Sequence, residues 1–153
     1  MPKISIIIPA HNEEAYIEKT LQSIAMQNFK DYELIVVCNG CKDNTEAIAK
    51  KYANVIAINE ANLPNARNVG AKVAKSTKLV FLDADTILED KNTLAKISNT
   101  DMVIGTCLGS PNSDTIRNRA YFSMKNIVTR MFKMVNGITI CDRDIFNSVG
   151  GYA

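Results

Sequence analysis

An α/β domain, a mostly parallel sheet flanked by helices, is the fold class this sequence predicts, and three observations carry the expectation. Short apolar runs of strand type alternate with amphipathic segments of roughly 10 to 15 residues, the pattern of a parallel sheet with right-handed crossovers. The polar stretches "PAHNEE", "CNGCKDNT", "NEANLPNARN" and "DADT" each follow a strand-like run, so they gather along one edge of the sheet. The chain has 153 residues, 46% hydrophobic and 22% charged, and no linker or repeat divides it. A single domain of that size buries about two-thirds of the surface its unfolded chain exposes.

"KISIIIP" is a short apolar run closed by proline, which suits a strand buried on both faces. "NEEAYIEKTLQSIAMQ" follows as a helix, with Asn12 as its cap, acids in the first turn, and Ile17, Leu21 and Ile24 at helical spacing. "YELIVVCN" is a second buried strand, and "DNTEAIAKKYA" a second helix capped by Asp43 or Asn44. "VIAIN" is the third strand. "LPNARNVGAKVAK" is the third helix, with Pro64 near its start, where a missing N–H costs little. "TKLVFLDAD" is the fourth strand. These runs predict parallel strands over 3–8, 33–38, 54–58 and 79–83. Beyond Asp85 the alternation loosens: "NTLAKIS" reads as a short helix and "DMVIGTCLG" as a strand. "SPNSD" is a loop, "TIRNRAYFSMKNIVTRMFKMV" a long, partly basic helix, and "GITICDRDIFNSVGGYA" a strand, a short helix and a glycine turn.

The formal charge of +2 gives no field that would draw nucleic acid or anionic lipid, so nucleic acid is not an expected partner. No apolar run is long enough to cross a bilayer, and the N-terminus lacks a signal-peptide layout, so a cytoplasmic location is expected. There the four cysteines, 38, 41, 107 and 141, stay reduced.

The chemical question is posed by "LVFLDADTIL", where an apolar strand runs into Asp83 and Asp85. Two neighbouring carboxylates repel each other, so something positive is expected to meet them. Nicotinamide and P-loop chemistry lack their glycine motifs. "CNGC" has dithiol spacing between a strand and a helix, but it follows the second strand of a long alternation. The plainer reading makes Cys38 the end of a buried strand and Cys41 a loop thiol. Zinc would need further ligands, and His11 is the only histidine. "FLDADT", an apolar strand ending in D-x-D, resembles the D-x-D-x-T of haloacid-dehalogenase-type phosphatases, with Thr86 one position earlier than that pattern has it. That nucleophile strand usually opens its fold, whereas here three α/β units precede it, and the late paired acids are missing.

One family uses all the rim loops together. "ISIIIPAHNEEAYIEKTLQSIAMQNFKDYELIVVCNGCKDNT" resembles the opening of family 2 glycosyltransferases of the GT-A fold, with its P-x-x-N-E loop and its D-G-S-x-D-x-T loop. "ARNVGAKVAKSTKLVFLDADT" is similar to the family's A-R-N-x-G helix leading to a D-x-D strand, and "RDIFNSVGGY" to the segment before its acceptor side. The resemblance covers nearly the whole chain and implies a metal-assisted, inverting transfer of sugar from a nucleotide-diphosphate donor. A D-x-D pair suits that task, because a divalent cation bridging carboxylates to a diphosphate offsets the charge that builds on the leaving group. Carried over, Asp83 lies nearer the ribose and Asp85 binds the cation, Mn²⁺ or Mg²⁺. Pro9 and His11 shape and cover the base pocket, Glu13 accepts from base or ribose, and Arg67 approaches the base or a phosphate.

Two departures matter. Asn39 and Cys41 stand where the family commonly has the aspartate and serine of D-G-S, and an amide both donates and accepts, so selectivity for uracil's N–H is open to change. The family's general base lies beyond the G-G-[FY] turn at which this sequence stops. The resemblance nominates no base here, although Asp142 and Asp144 are nearby acids. One GT-A-like domain over 1–153 is therefore expected, with a donor half over 1–90 and an incomplete acceptor half over 91–153. Donor binding with weak transfer, and an apolar edge prone to self-association, follow from that expectation. The acceptor, whether glycan, lipid-linked at a membrane surface or protein, is not legible, and a non-catalytic nucleotide-sugar binding module is the alternative.

Overall fold

The computed structural model describes residues 1–101, 104–106 and 138–153. Its elements are β1 (Ile4–Ala10), α1 (Ile17–Ala25), β2 (Tyr32–Asn39), α2 (Thr45–Ala49), β3 (Asn54–Ile58), α3 (Leu63–Val73), β4 (Lys78–Phe81), α4 (Thr93–Ser98), β5 (Ile104–Thr106), β6 (Thr139–Asp142) and α5 (Arg143–Ser148). They build a six-stranded sheet in the order β3-β2-β1-β4-β6-β5. The four expected strands are present and mutually parallel. Ile4 to Ala10 pairs in register with Tyr32 to Cys38, Ser5 to Ile7 with Leu79 to Phe81, and Ile35 to Asn39 with Asn54 to Ile58. The late strand β6 runs antiparallel to β4 on one side and to β5 on the other.

All seven residues of β1 are buried because the strand is central and covered on both faces. Side chains alternate along a strand. Ile4, Ile6, Ile8 and Ala10 therefore pack with Ile17, Leu21 and Ile24 of α1 and with Leu94 and Ile97 of α4. Ile7 points the other way, into a second cluster with Ala66 and Ala71 of α3, Leu79, Phe81, Cys141 and Phe146.

Several boundaries differ from expectation. The first helix starts at Ile17 rather than Asn12, because the polar groups of "NEE" are drawn to the neighbouring loop. Asn12 adopts φ 54° and its side chain accepts from Lys42 N, while Glu13 N donates to Thr45 Oγ1 and Glu14 N to Asp43 Oδ2. A turn whose backbone donors are met by another loop has no need of a capping asparagine. The helix α3 follows expectation: Pro64 lies in its first turn, and the Asn62 side chain accepts from Asn65 N. The expected helix over "TIRNRAYFSMKNIVTRMFKMV", the "SPNSD" loop and Cys107 lie outside the described residues. Among the described residues no helix is long and apolar enough to cross a membrane.

Candidate functional site

The strand order reverses at β1: β2 and β3 lie to one side of it and β4 to the other. Open α/β sheets bind ligands at such a switch point, beyond the carboxyl ends of the strands. A cleft of about 500 Å³ opens there. β1 and its loop contribute Pro9, His11 and Glu13, β2 contributes Asn39, and β4 leads to Asp83 and Asp85. Arg67 enters from α3. All seven candidate residues thus come together. Ala61, Leu63 and Ala84 complete the lining; they carry no polar side chain, and nothing in the sequence singled them out.

The aspartate pair is presented by a tight turn. Leu82 N still donates to Ile7 O, continuing the ladder, and Thr86 N then donates to Asp83 O, closing a four-residue turn in which aspartate is favoured at the first position. Ala84, between the acids, is buried, and its carbonyl accepts from Thr20 Oγ1 on α1. A core-facing alanine tied to a helix leaves the two flanking carboxylates at the cleft.

Something positive does meet the pair, at one member. Arg67 Nη2 donates to Asp83 Oδ1 at 3.1 Å, with the arginine side chain 20% and the aspartate 41% exposed. The guanidinium also lies 4.9 Å from the centroid of the Tyr152 ring, and its Nε is buried with no hydrogen-bond partner among the described residues. Asp85 is exposed and forms neither ion pair nor hydrogen bond among the described residues. Among the described residues, three carboxylates and one guanidinium therefore share the cleft. Their mutual repulsion registers at Glu13: burial first, then the charges of Asp85, Asp43 and Asp83, push its carboxyl above the ordinary 4.5, with His11 opposing.

The imidazole of His11 has a defined tautomer. Its Nδ1 lies 2.6 Å from the Asn39 carbonyl oxygen, which can only accept, so Nδ1 carries the proton and donates. In the neutral ring Nε2 is then the acceptor for Asn12 Nδ2 at 3.2 Å. The Asn39 side chain is buried, and its Oδ1 accepts from Asn62 N, which leaves its NH₂ without a partner among the described residues.

Other candidates fall away. The Cys38 thiol is pushed up to about 12 by burial and then by neighbouring Cys41, the opposite of an activated dithiol. Asp142 and Asp144 are not near the cleft. Asp142 pairs with Lys78 at the start of β4, five residues before Asp83, or roughly 16 Å along the chain direction at some 3.3 Å per residue. Its carboxylate is occupied in accepting from Asp144 N at the start of α5. Neither acid is placed to take a proton from anything bound at the aspartate pair.

Known proteins share this fold and parts of this sequence. The family model described as Glycosyl transferase family 2 matches residues 5–147. The poly(ribitol-phosphate) β-N-acetylglucosaminyltransferase TarP of Staphylococcus aureus is 34% identical over 119 residues, 69% of this chain and 36% of TarP. The uncharacterized glycosyltransferase EpsJ of Bacillus subtilis is 38% identical over 91 residues, 56% of this chain and 26% of EpsJ. Residues 1–349 of S. aureus TarS, solved in complex with UDP-GlcNAc, superpose with a TM-score of 0.78 at 23% identity, covering 99% of this chain and 48% of that one. The mannosyltransferase PcManGT of Pyrobaculum calidifontis, solved with GDP-Man and Mn²⁺, gives 0.77 at 20% identity, covering 99% and 48%. This chain thus spans about a third of TarP, a quarter of EpsJ and half of the solved chains. The fold is the GT-A fold of those glycosyltransferases. With its family's model matched from the first strand to the last helix, the chain belongs to glycosyl transferase family 2.

Proposed function

We propose that the cleft at the switch point binds a nucleotide-diphosphate sugar together with a divalent cation, and that the chain transfers the sugar to an acceptor with inversion. The observation that carries this reading is the placement of Asp85, uncommitted among the described residues, beside an Arg67–Asp83 pair in one cleft. An excess of carboxylate is unfavourable for a bare diphosphate and favourable for a cation that bridges to one.

The donor set fits such a cation. Asp85 is exposed, and Glu13 ionises reluctantly beside it, which a positive ion would relieve. Among the described residues no three acid, histidine or cysteine side chains form a metal shell by themselves. A cation held by Asp85 would therefore draw its further oxygen ligands from phosphate and water, the usual pattern for Mg²⁺ at a nucleotide. When bound, the ion supplies neutralisation of the charge that develops on the departing diphosphate.

The chain's own residues do the rest. Arg67 gives a fixed positive charge beside the aspartates, where phosphate or base approaches. Asp83, held by that arginine, accepts from the ribose. Pro9 and His11 form the wall for the base, and Asn39 offers its amide NH₂ there. The printed ligands of the fold neighbours, UDP-GlcNAc and GDP-Man with Mn²⁺, support the same class of donor.

Release of nucleoside diphosphate from UDP-GlcNAc and GDP-mannose, with Mn²⁺ and a panel of acceptors, tests the transfer. Asp85→Ala is expected to lower the rate by about 10²-fold or more, the scale on which a transition-state charge partner counts. Nucleotide binding without any sugar release would instead identify a binding module. The anomeric configuration of the product, read by NMR, tests inversion.

A further inference from the structure

The glycine turn after α5 is distant in sequence from every cleft residue, yet its tyrosine touches one of them. Gly150 and Gly151 have φ of 80° and 79°, the left-handed region that glycine tolerates and other residues resist. A Cβ on Gly151 would stand 2.6 Å from Asn68 Oδ1 and 3.2 Å from Phe146 Cζ. The turn therefore needs glycine both for its bend and for the close approach of Asn68. That approach is used: Asn68 Nδ2 donates to Tyr152 O and Asn68 Oδ1 accepts from Tyr152 N, both at 2.9 Å. One amide side chain thus grips the backbone of Tyr152 on both sides. The ring is fixed in turn by Phe81 at 5.2 Å edge-on and Phe146 at 6.0 Å. On this support lies the Arg67 guanidinium, 4.9 Å from the ring centroid.

Asn68 directly follows Arg67 in α3, so the helix that supplies the arginine also holds the ring against which it rests. Arg67 is gripped between Tyr152 and Asp83 Oδ1. Without the ring, only the aspartate among the described residues would orient it, and a long flexible cation collapses onto its carboxylate partner.

We propose that Tyr152 is a positioning residue for the nucleotide cleft: held by Asn68, its ring fixes the Arg67 guanidinium so that the charge stays available to the diphosphate of a bound nucleotide. The inference rests on reading the cleft as a donor site. It makes the G-G-Y turn a support for the donor side through α3. Tyr152 does not itself line the cleft.

A double-mutant cycle decides it, because a residue acting through another has no effect once that other is gone. UDP and GDP, each with Mn²⁺, are titrated calorimetrically into the wild-type chain, Tyr152→Phe, Tyr152→Leu, Arg67→Met and the Tyr152→Leu/Arg67→Met double variant. Tyr152→Phe, which keeps the ring, is expected to bind like wild type. Tyr152→Leu is expected to bind about tenfold more weakly, within the range of a partly desolvated cation–π contact. In the Arg67→Met background the same substitution is expected to change nothing further. Equal losses in the two backgrounds, or a phenylalanine variant as weak as the leucine one, would overturn the proposal while leaving nucleotide binding intact. If neither nucleotide binds the wild-type chain, the donor reading falls and this proposal with it. Should Tyr152→Leu not fold, Asn68→Ala takes its place in the cycle, with the same two outcomes.

Discussion

At Gly70 two residue-scale effects oppose each other, and their sizes decide the outcome. Alanine in a helix interior is favoured over glycine by about 1 kcal/mol. Here the added Cβ would stand inside the van der Waals shell of Ile7 Cγ2, on a fully buried central strand with no room to yield. Overpacking of that kind costs about 1–3 kcal/mol, so Gly70→Ala is expected to lower the urea midpoint by a net loss of about 1 kcal/mol. Glu13 gives a pH-dependent case. Its folded-state pKa is raised, by burial and then by Asp85, so its ionised form is penalised only in the folded protein. Stability is therefore lost as pH rises through the window above 4.5. Glu13→Gln is expected to raise the melting temperature at neutral pH, and the gain should vanish as acid protonates the wild-type carboxyl. A gain that persists in acid would show a packing effect instead. At Cys38 a pKa of about 12 leaves roughly one part in 10⁴ as thiolate at pH 8, so iodoacetamide should not label it in the native protein. The aspartate pair was legible in sequence because two acids at the end of an apolar run violate the rules of a buried strand. Asn62, Asn68 and Tyr152 were not assigned roles, because an amide or a ring declares no task until folding supplies its partners.

Among the elements, the two loops beyond β1 and β2 behave as one unit. Asp43 accepts from Thr45 N within its own loop and from Glu14 N in the other. The Glu14 carboxylate returns the arrangement by accepting from Asn44 N and Asn44 Nδ2. Burial tends to raise the Asp43 carboxyl, but the hydrogen bonds from Thr45 and Glu14 outweigh it and hold the carboxyl below the ordinary 3.8. That sign means a contribution present at neutral pH and lost as acid titrates the folded group. Asp43→Ala should cost about 1 kcal/mol at pH 7, the usual net worth of a hydrogen bond, and progressively less in acid. The cross-loop bonding also explains why the first helix begins later than its composition predicts, at Ile17: local capping propensity lost to a partner remote in sequence. Strand existence was legible for β1 to β4, since their apolar runs and flanking loops are local signals. The antiparallel insertion of β6 beside β4 was not, because pairing direction depends on a chain path between them that periodicity does not encode. Asp142 illustrates the cost of that gap. Near the other motifs in kind, it sits at the wrong end of β4 to act on the cleft.

For the whole molecule, the sheet order turns scattered polar loops into one site. Parallel strands deliver their carboxyl ends to the same edge, and the reversal at β1 opens the crevice between the "PAHNEE" loop and the aspartate turn. The rest of the scaffold holds those strands in place. Lys78 Nζ donates to the carbonyls of Ile97, Ser98 and Thr100 at the end of α4, and the Arg143 guanidinium to those of Ala74 and Ser76 between α3 and β4. Both cations lie at the edge opposite the cleft, so the strand β4 that presents Asp83 and Asp85 is anchored at its far end. On the function proposed above, this edge takes a nucleoside diphosphate through a divalent cation held by Asp85. Calorimetric titration of UDP and GDP into the chain, with Mn²⁺ and with chelator, tests it most directly, repeated on Asp85→Ala. At least one nucleotide is expected to bind, to require Mn²⁺ and to lose its binding in the alanine variant. Tight binding that persists in chelator and survives Asp85→Ala would contradict it.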